Sequence, residues 1–163
     1  MIRPYEDRDY DACRALWVEL TERHRLIFDD PTIGGDDPGT AFDSYLALGT
    51  RAANWVYDDG SVVGFTGLLL DGGGGQVEPV VVTESRRSQG IGRELIETVI
   101  AEARARGLGM IEIHPVVANA EAMSLFHEIG FRTIGHIDLF IKLDDGDYPN
   151  RPTIDVHGRT YAT

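Results

Sequence analysis

A valine-rich strand runs directly into a helix in the stretch Val80-Val81-Val82-Thr83-Glu84-Ser85-Arg86-Arg87-Ser88-Gln89-Gly90-Ile91-Gly92-Arg93. Its two glycines remove side chains where the backbone has to approach a partner closely. The N–H groups of the first helical turn have no intrahelical acceptor, and Arg86, Arg87 and Arg93 add positive charge beside them. This combination is typical of a binding site for a phosphate or a pyrophosphate.

The arginine cluster contrasts with the charge of the whole chain. The 163 residues include 27 acidic and 15 basic side chains, which gives a formal net charge of −12. Such acidity argues against general affinity for nucleic acid or for an anionic membrane, because both require a basic surface. The length fits one globular domain. We therefore expect no nucleic-acid or membrane partner, and a local positive site for an anionic ligand.

The cysteine and histidine pattern indicates neither a disulfide nor a metal site. Cys13 is the single cysteine, and the five histidines are scattered, so no metal-ligand spacing occurs. No run of about 18 apolar residues is present, and the first residues do not resemble a signal peptide. These observations predict a protein of the reducing cytoplasm that uses no metal.

The hydrophobic periodicity predicts an α+β domain with a mixed sheet. Two helices precede a three-stranded antiparallel meander, and a helix, a strand, a helix and a further strand or hairpin follow it. The predicted helices cover about 7–27, 40–49, 90–106 and 119–129. The predicted strands cover 53–57, 62–70, 76–83, 110–114 and 134–143, with either one more strand around 154–156 or a packed tail.

The glycines of the opening stretch do not form a dinucleotide-binding fingerprint. The third glycine of that fingerprint would fall at Leu95, and the strand before the helix belongs to a meander. The phosphate-bearing ligand is therefore of another kind.

The segment from Arg87 to Gly92 resembles the Arg/Gln-x-x-Gly-x-Gly/Ala signature of the GNAT superfamily of acyl-CoA-dependent N-acetyltransferases. Asn119, Ala122, Leu125 and Gly130-Phe131 resemble the second signature of that family, Asn…Ala…Leu-Tyr-x-x-x-Gly-Phe. The resemblance covers about residues 53–143. It implies a mostly antiparallel central sheet with helices on both faces, splayed between its fourth and fifth strands.

The resemblance also implies the organisation of the chain and its cosubstrate, acetyl-CoA, with no metal. Residues 1–163 would form a single acetyltransferase domain, divided into an acceptor-side helical region (1–52), a CoA-binding core (53–143) and a polar C-terminal tail (144–163). The residues that would contact the cofactor are Val80, Val82, Arg87, Ser88, Gln89, Gly90, Ile91, Gly92, Arg93, Asn119 and Phe126.

Glu78 is the candidate general base, acting through a water molecule. By the period-two rule we expect it to share a strand face with Val80 and Val82. The alternative is an exposed glutamate that faces solvent or a salt-bridge partner. Pro79 lacks an N–H group, so we expect it at an edge or a bulge with its nitrogen toward the splayed gap, or else simply at the beginning of the strand.

The tyrosine that would protonate the leaving thiolate in the family is replaced here by Phe126. Either the thiolate leaves unassisted, or Ser124, His127 or Tyr148 donates the proton. His127 lies about 100° around the helix from Phe126 and should point elsewhere.

The resemblance implies transfer of an acetyl group to a primary amine of a small molecule or peptide, by direct attack in a ternary complex. An acyl-enzyme is disfavoured, because Cys13 has no evident partner base. Two alternatives stay open: a non-catalytic acyl-CoA sensor and transfer of a longer acyl group. A homodimer would fit the habit of the family. Carboxylates at the predicted acceptor side would suit a cationic amine, although simple solvation explains them better in so acidic a chain. The polar residues there are His24, Arg25, Asp29, Asp30, Asp36 and Asp37.

Overall fold

The computed structural model describes residues 1–139, 141, 143 and 151–163. They form two compact units, 1–114 and 115–163. The helices are α1 (Tyr10–Phe28), α2 (Thr40–Leu46), α3 (Ile91–Ala105) and α4 (Ala120–Ile129). The strands are β1 (Ile2–Pro4), β2 (Ala52–Asp58), β3 (Val62–Asp71), β4 (Gly74–Val82), β5 (Ile111–Glu112), β6 (Thr153–Val156) and β7 (Arg159–Ala162).

The first unit is built on a five-stranded sheet in the order β1-β2-β3-β4-β5. Its pairs are antiparallel except for β4 and β5, which are parallel. The α+β class, the meander and the parallel fifth strand are therefore confirmed. The sequence did not predict β1, because a strand of three residues shows no periodicity of its own.

Helices cover both faces of this sheet. On one face, side chains of α1 and α2 pack with residues of β2, β3 and β4 in a core of Cys13, Leu16, Phe42, Tyr45, Val56, Phe65 and Val81. On the other face, Ile91 and Leu95 of α3 pack against Val63. The two faces are called the α1/α2 face and the α3 face below.

The second unit contains α4 and the β6–β7 hairpin. The strand predicted around 154–156 is confirmed as the first strand of that hairpin. The strand predicted over 134–143 is wrong for residues 134–139, 141 and 143, which are in no regular structure, while 140 and 142 lie outside the described residues. A strand requires a hydrogen-bonded neighbour, and within the described part of the chain none pairs with this segment.

Arg3 of β1 ties the sheet edge to the start of the first helix. Its guanidinium donates to both carboxylate oxygens of Asp9, at 2.6 and 2.8 Å, and to Asp58 at 2.8 Å. The Asp9 side chain is only 4% exposed and also accepts from the Glu6 N–H at 2.9 Å. The hydrogen bonds from Arg3 hold the pKa of Asp9 below its usual value. The ionised carboxylate therefore stabilises the folded state.

Replacing Asp9 by Asn is expected to lower the free energy of unfolding at pH 7 by about 2 kcal/mol, the scale of buried hydrogen bonds to a charged group. Because the folded-state pKa is depressed, this contribution is present above the unfolded pKa of about 4 and is lost as the pH falls through the folded value. Urea unfolding at pH 7 and pH 3 measures both. Asp11→Asn, at an exposed position of α1, should change little at either pH. An equal loss for Asp9→Asn at both pH values would contradict this prediction.

Candidate functional site

A β-bulge interrupts β4 at Glu78 and Pro79. Thr66 of β3 pairs with Val80, but Leu68 pairs with Val77, so the two residues between them on β4 oppose the single residue Gly67 on β3. The peptide bond between Glu78 and Pro79 is cis. The proline thus lies at a bulge, one of the two positions expected from its missing N–H group. That its nitrogen faces the gap between β4 and β5 stays a prediction.

The bulge changes which face of the sheet each half of β4 presents. After the bulge, Val82 packs with the α3 core, and Val80 shares that face by alternation. Before the bulge, Gln76 pairs with Leu69, which packs on the α1/α2 core, and Glu78 follows two residues later. The prediction that Glu78 shares a face with Val80 and Val82 is therefore wrong. The extra residue in the strand breaks the simple period of two, and Glu78 lies on the α1/α2 face.

Tyr45 of α2 holds the bulge in place. Its hydroxyl lies 2.8 Å from the carbonyl oxygen of Glu78 and 2.7 Å from Oδ1 of Asn54, and it donates its one proton to either acceptor. Burial, and then the negative charge of Glu78, raise the pKa of Tyr45, which keeps the hydroxyl protonated and able to donate. A Cβ atom at Gly67 would overlap this hydroxyl and lie 2.7 Å from the Glu78 carbonyl oxygen. No local sequence pattern indicated Tyr45, because its role depends on packing between distant elements.

A row of polar side chains lies where β4 meets β5. The amide nitrogen Nε2 of Gln76 donates to Oε2 of Glu78 at 2.5 Å and lies 3.4 Å from Nδ1 of His114. The other ring nitrogen of His114 lies 3.3 Å from Oε1 of Glu112. Gln76 and Glu112 are partners in the parallel register, so the row belongs to the α1/α2 face. Of these four, the sequence indicated Glu78 as the base and His114, at the end of the fifth predicted strand, as a residue that could line the cleft or cap the strand end; it did not indicate Gln76 or Glu112.

The pairing of β4 with β5 is short. It covers Gly75 with Ile111 and Gln76 with Glu112. From Val77 onward, every register partner described for β4 belongs to β3. The expected divergence of the fourth and fifth strands is therefore confirmed, and it begins just before the bulge.

The turn between β4 and α3 brings backbone N–H groups together. Ser88 and Gly90 have positive φ values of 59° and 85°, and the first intrahelical bond runs from the Glu94 N–H to the Gly90 carbonyl at 3.1 Å. The N–H groups of Ile91 and Gly92 precede that bond, at the positive end of a 15-residue helix. The local geometry therefore suits an anion, as the residues of this turn predicted.

The arginines of this turn contact different partners. Arg86 pairs with Asp59 of the β2–β3 turn and donates to Oε1 of Gln89 at 3.1 Å. Arg87 donates through Nε to the Val82 carbonyl oxygen at 3.0 Å. Arg86 therefore braces the turn against the sheet, while Arg87 and Arg93 were the two arginines predicted to contact the cofactor.

Glu19 of α1 also holds the turn. Its Oε1 accepts from the Thr83 hydroxyl at 2.9 Å and from the Glu84 N–H at 3.3 Å. This contact fixes the end of β4 against the first helix.

The two predicted cofactor residues of the second unit have local structural roles. Asn119 caps α4, because its Oδ1 accepts from the Ala122 N–H at 3.2 Å. Phe126 is buried and packs edge-on against Phe131, with ring centroids 6.3 Å apart. Their contact with a cofactor stays a prediction. Of the alternative proton donors, Ser124 and His127 are exposed and Tyr148 lies outside the described residues.

Much of the predicted acceptor-side loop is held by hydrogen bonds of its own. Arg25 donates to the carbonyl oxygens of Ile33 and Gly35 at 2.8 and 2.7 Å. Asp37 pairs with Arg14 at 2.5 Å, and Asp30 accepts from the Thr32 N–H at 2.8 Å. Several of these charged side chains thus shape the loop, including two of the carboxylates.

The other polar residues of the helical region differ in position and environment. Asp29 ends α1 with a φ of 50°, and Asp36 is exposed. Burial lowers the pKa of His24, with the neighbouring Arg23 adding to the effect.

Burial also raises the pKa of the Cys13 thiol to about 12. A thiol in that state is a poor nucleophile, which argues against an acyl-enzyme on this cysteine.

Neither a metal site nor a membrane span is found in the described ranges. Within 1–139, 141, 143 and 151–163, no group of three or more His, Cys, Asp or Glu side chains could hold a metal ion. None of the helices there is sufficiently long and apolar to cross a bilayer.

Comparison with known proteins assigns the family. The profile of the acetyltransferase (GNAT) family matches residues 11–131. The chain therefore belongs to the GNAT acetyltransferase family, and it is an acyltransferase. Acetyl-CoA is the cosubstrate that this family uses. No curated protein shows significant sequence similarity to the chain.

Solved structures show the same fold at low sequence identity. A mutant of the BH1408 protein from Bacillus halodurans has a TM-score of 0.74 at 21% identity and covers 88% of this chain and 99% of its own. AAC(6')-Iy, in complex with a CoA-containing bisubstrate analog, has a TM-score of 0.63 at 17% identity and covers 87% and 97%. The ribosomal-protein-S18-alanine N-acetyltransferase from Escherichia coli has a TM-score of 0.65 at 22% identity and covers 83% and 79%.

Proposed function

We propose that the chain, as one acetyltransferase domain over 1–163, moves an acetyl group from acetyl-CoA to a primary amine of a small molecule or peptide. The observation that carries this proposal is that β4 is connected to both parts of the candidate site. Its downstream end leads into the anion-binding turn at α3, and its bulge carries the Glu78 carboxylate in the same compact unit. Four residues, 79–82, thus separate the proposed proton acceptor from the beginning of the turn that would hold the anionic cofactor.

The cofactor-binding part of the proposal uses backbone and arginine groups. The N–H groups at the start of α3 and the side chains of Arg87 and Arg93 would hold the pyrophosphate of acetyl-CoA, with Ser88 and Gln89 in the same turn. The backbone of Val80 and Val82 would bond the pantetheine arm as an added strand, since the register partners described there lie on β3 only. In a chain of net charge −12, this turn supplies the local positive potential that an anionic cofactor requires.

The chemical step requires a neutral amine and a proton acceptor. The lone pair of the amine attacks the thioester carbonyl carbon, a C–N bond forms, and the C–S bond breaks with departure of the thiolate. Glu78 accepts the amine proton through a water molecule. The thiolate leaves without a dedicated acid, because a thiol pKa of roughly 8.5 makes it a moderate leaving group. This assignment fits Phe126, which has no proton to give.

The acceptor favoured by the site is a cationic amine. Glu78 and Glu112 place two carboxylates on the α1/α2 face at the junction of β4 with β5. The free, buried thiol of Cys13 is in keeping with the cytoplasmic location that we propose. We also propose a homodimer, and the basis for this is only that dimers are common in the family.

The experiment that tests the proposal follows thiol release. The purified chain is incubated with acetyl-CoA and a panel of primary amines that includes diamines and peptides with free N-termini. Amine-dependent release of CoA thiol is expected.

A second function, a non-catalytic acyl-CoA sensor, is favoured by Phe126 at the position of the usual tyrosine. Micromolar CoA binding by calorimetry without turnover of any amine would support the sensor, and faster turnover of a longer thioester would indicate a different acyl donor.

A further inference from the structure

We infer that Gln76 is a positioning residue for the Glu78 carboxylate and that His114 fixes the orientation of the Gln76 side chain. This inference rests on the proposed role of Glu78. It concerns Gln76 of β4 and His114, which follows β5 by two residues; the family signatures include neither. Gln76 lies on the α1/α2 face, and His114 contacts it there.

The contact between Gln76 and Glu78 is direct. Nε2 of Gln76 donates to Oε2 of Glu78 at 2.5 Å, and both residues are half-buried. A hydrogen bond that ends on a carboxylate in such a place restricts the rotation of that carboxylate. With Oε2 engaged by Gln76, Oε1 is the oxygen left to accept a proton from water. Gln76 therefore determines which Glu78 oxygen faces the reaction.

The orientation of the Gln76 amide follows from hydrogen-bond chemistry. An amide nitrogen carries two N–H groups and accepts no hydrogen bond, so its contacts with Glu78 and His114 are both donations. Nδ1 of His114 lies 3.4 Å from this amide nitrogen and accepts from it in the ring tautomer that carries its proton on Nε2. In that tautomer Nε2, 3.3 Å from Oε1 of Glu112, donates to the carboxylate. Glu112 and His114 thus select the amide orientation in which Gln76 offers N–H groups to Glu78.

The bulge makes this arrangement necessary. Glu78 lies in the irregular part of β4 and has no register partner on β3, where the residue opposite the bulge, Gly67, has no side chain. The Tyr45 hydroxyl contacts the backbone carbonyl of Glu78, not its carboxylate. The carboxylate itself is held by the hydrogen bond from Gln76.

The test is a double-mutant cycle between positions 76 and 78. Gln76→Met keeps an unbranched side chain of similar length but removes both N–H groups. It is expected to lower kcat about tenfold, as displacement of a reacting group does, with KM for acetyl-CoA and the melting temperature unchanged. In the Glu78→Gln background the same change should have no further effect, because the carboxylate that Gln76 positions is absent.

His114→Ala should lower kcat about threefold on the same reasoning. His136→Ala, at an exposed position, serves as the control and should leave kcat unchanged.

Each outcome is decisive. Loss of activity for Gln76→Met that disappears in the Glu78→Gln background supports the inference. Wild-type activity for Gln76→Met, or an equal loss in both backgrounds, overturns it and leaves the role of Glu78 standing. Full activity of the single variant Glu78→Gln overturns the base assignment and the inference with it, while amine-dependent thiol release still supports acetyl transfer.

Discussion

Replacement of Glu78 by glutamine is expected to lower kcat at least about 100-fold, the usual contribution of a positioned general base. Glutamine is close in size and can still contact Gln76, but it does not accept a proton from the attacking amine. Because the carboxylate lies on the α1/α2 face and the cofactor turn follows the other half of β4, KM for acetyl-CoA should stay within about twofold of the wild-type value. Initial rates of thiol release with saturating amine measure both quantities.

The matched control is Glu112→Gln, on the same face in β5, with a half-exposed side chain that contacts His114. Its effect on kcat should be much smaller than that of Glu78→Gln, since it reaches Glu78 only through two other side chains. An unchanged rate for Glu78→Gln at every pH would eliminate this residue as the base.

Replacement of both Gly90 and Gly92 by valine is expected to abolish CoA binding, with a loss of at least about 100-fold in affinity. Gly90 has a φ of 85°, a conformation in which a β-branched residue is a genuine outlier. Valine at either position also places methyl groups beside the N–H groups that would face the pyrophosphate. Calorimetric titration with CoA measures the affinity, and circular dichroism checks that the variant folds.

A control at the opposite end of α3 separates backbone strain from loss of the site. Gly107 has a φ of 72° and, like Gly90, open space where a Cβ atom would lie. Gly107→Val therefore imposes similar strain on the protein at a position remote from the β4–α3 turn. It should retain CoA affinity. Retained affinity in the Gly90 and Gly92 variant would overturn the cofactor assignment.

Local sequence was sufficient for the helices and for the anion-binding turn. The helix that begins at Ile91 was predicted from the glycines before it and the apolar stripe within it, and both act over a few residues. The same holds for the strands of the meander, which were predicted from the glycine- and aspartate-rich turns between them. The chemistry of a helix N-terminus follows from the backbone alone, so the turn could be assigned without tertiary contacts.

The face on which Glu78 lies could not be predicted in this way. Sequence shows that Pro79 belongs at an edge or a bulge, but the register shift depends on which β3 residues pair with β4. Tyr45 and Gln76 escaped prediction for the same reason, and so did the contact between Gln76 and His114. Their contacts join elements that are separated by many residues, and no local pattern records them.

The bulge in β4 divides one strand into two parts that would serve different ligands. Gln76 and Glu78, before it, lie on the side of the sheet proposed for the amine, whereas Val80 and Val82, after it, lie on the opposite side and lead to the turn proposed for the cofactor. Under the proposed function, the amine and the cofactor are therefore handled on different faces of one strand, and the irregular pair Glu78 and Pro79 separates the two.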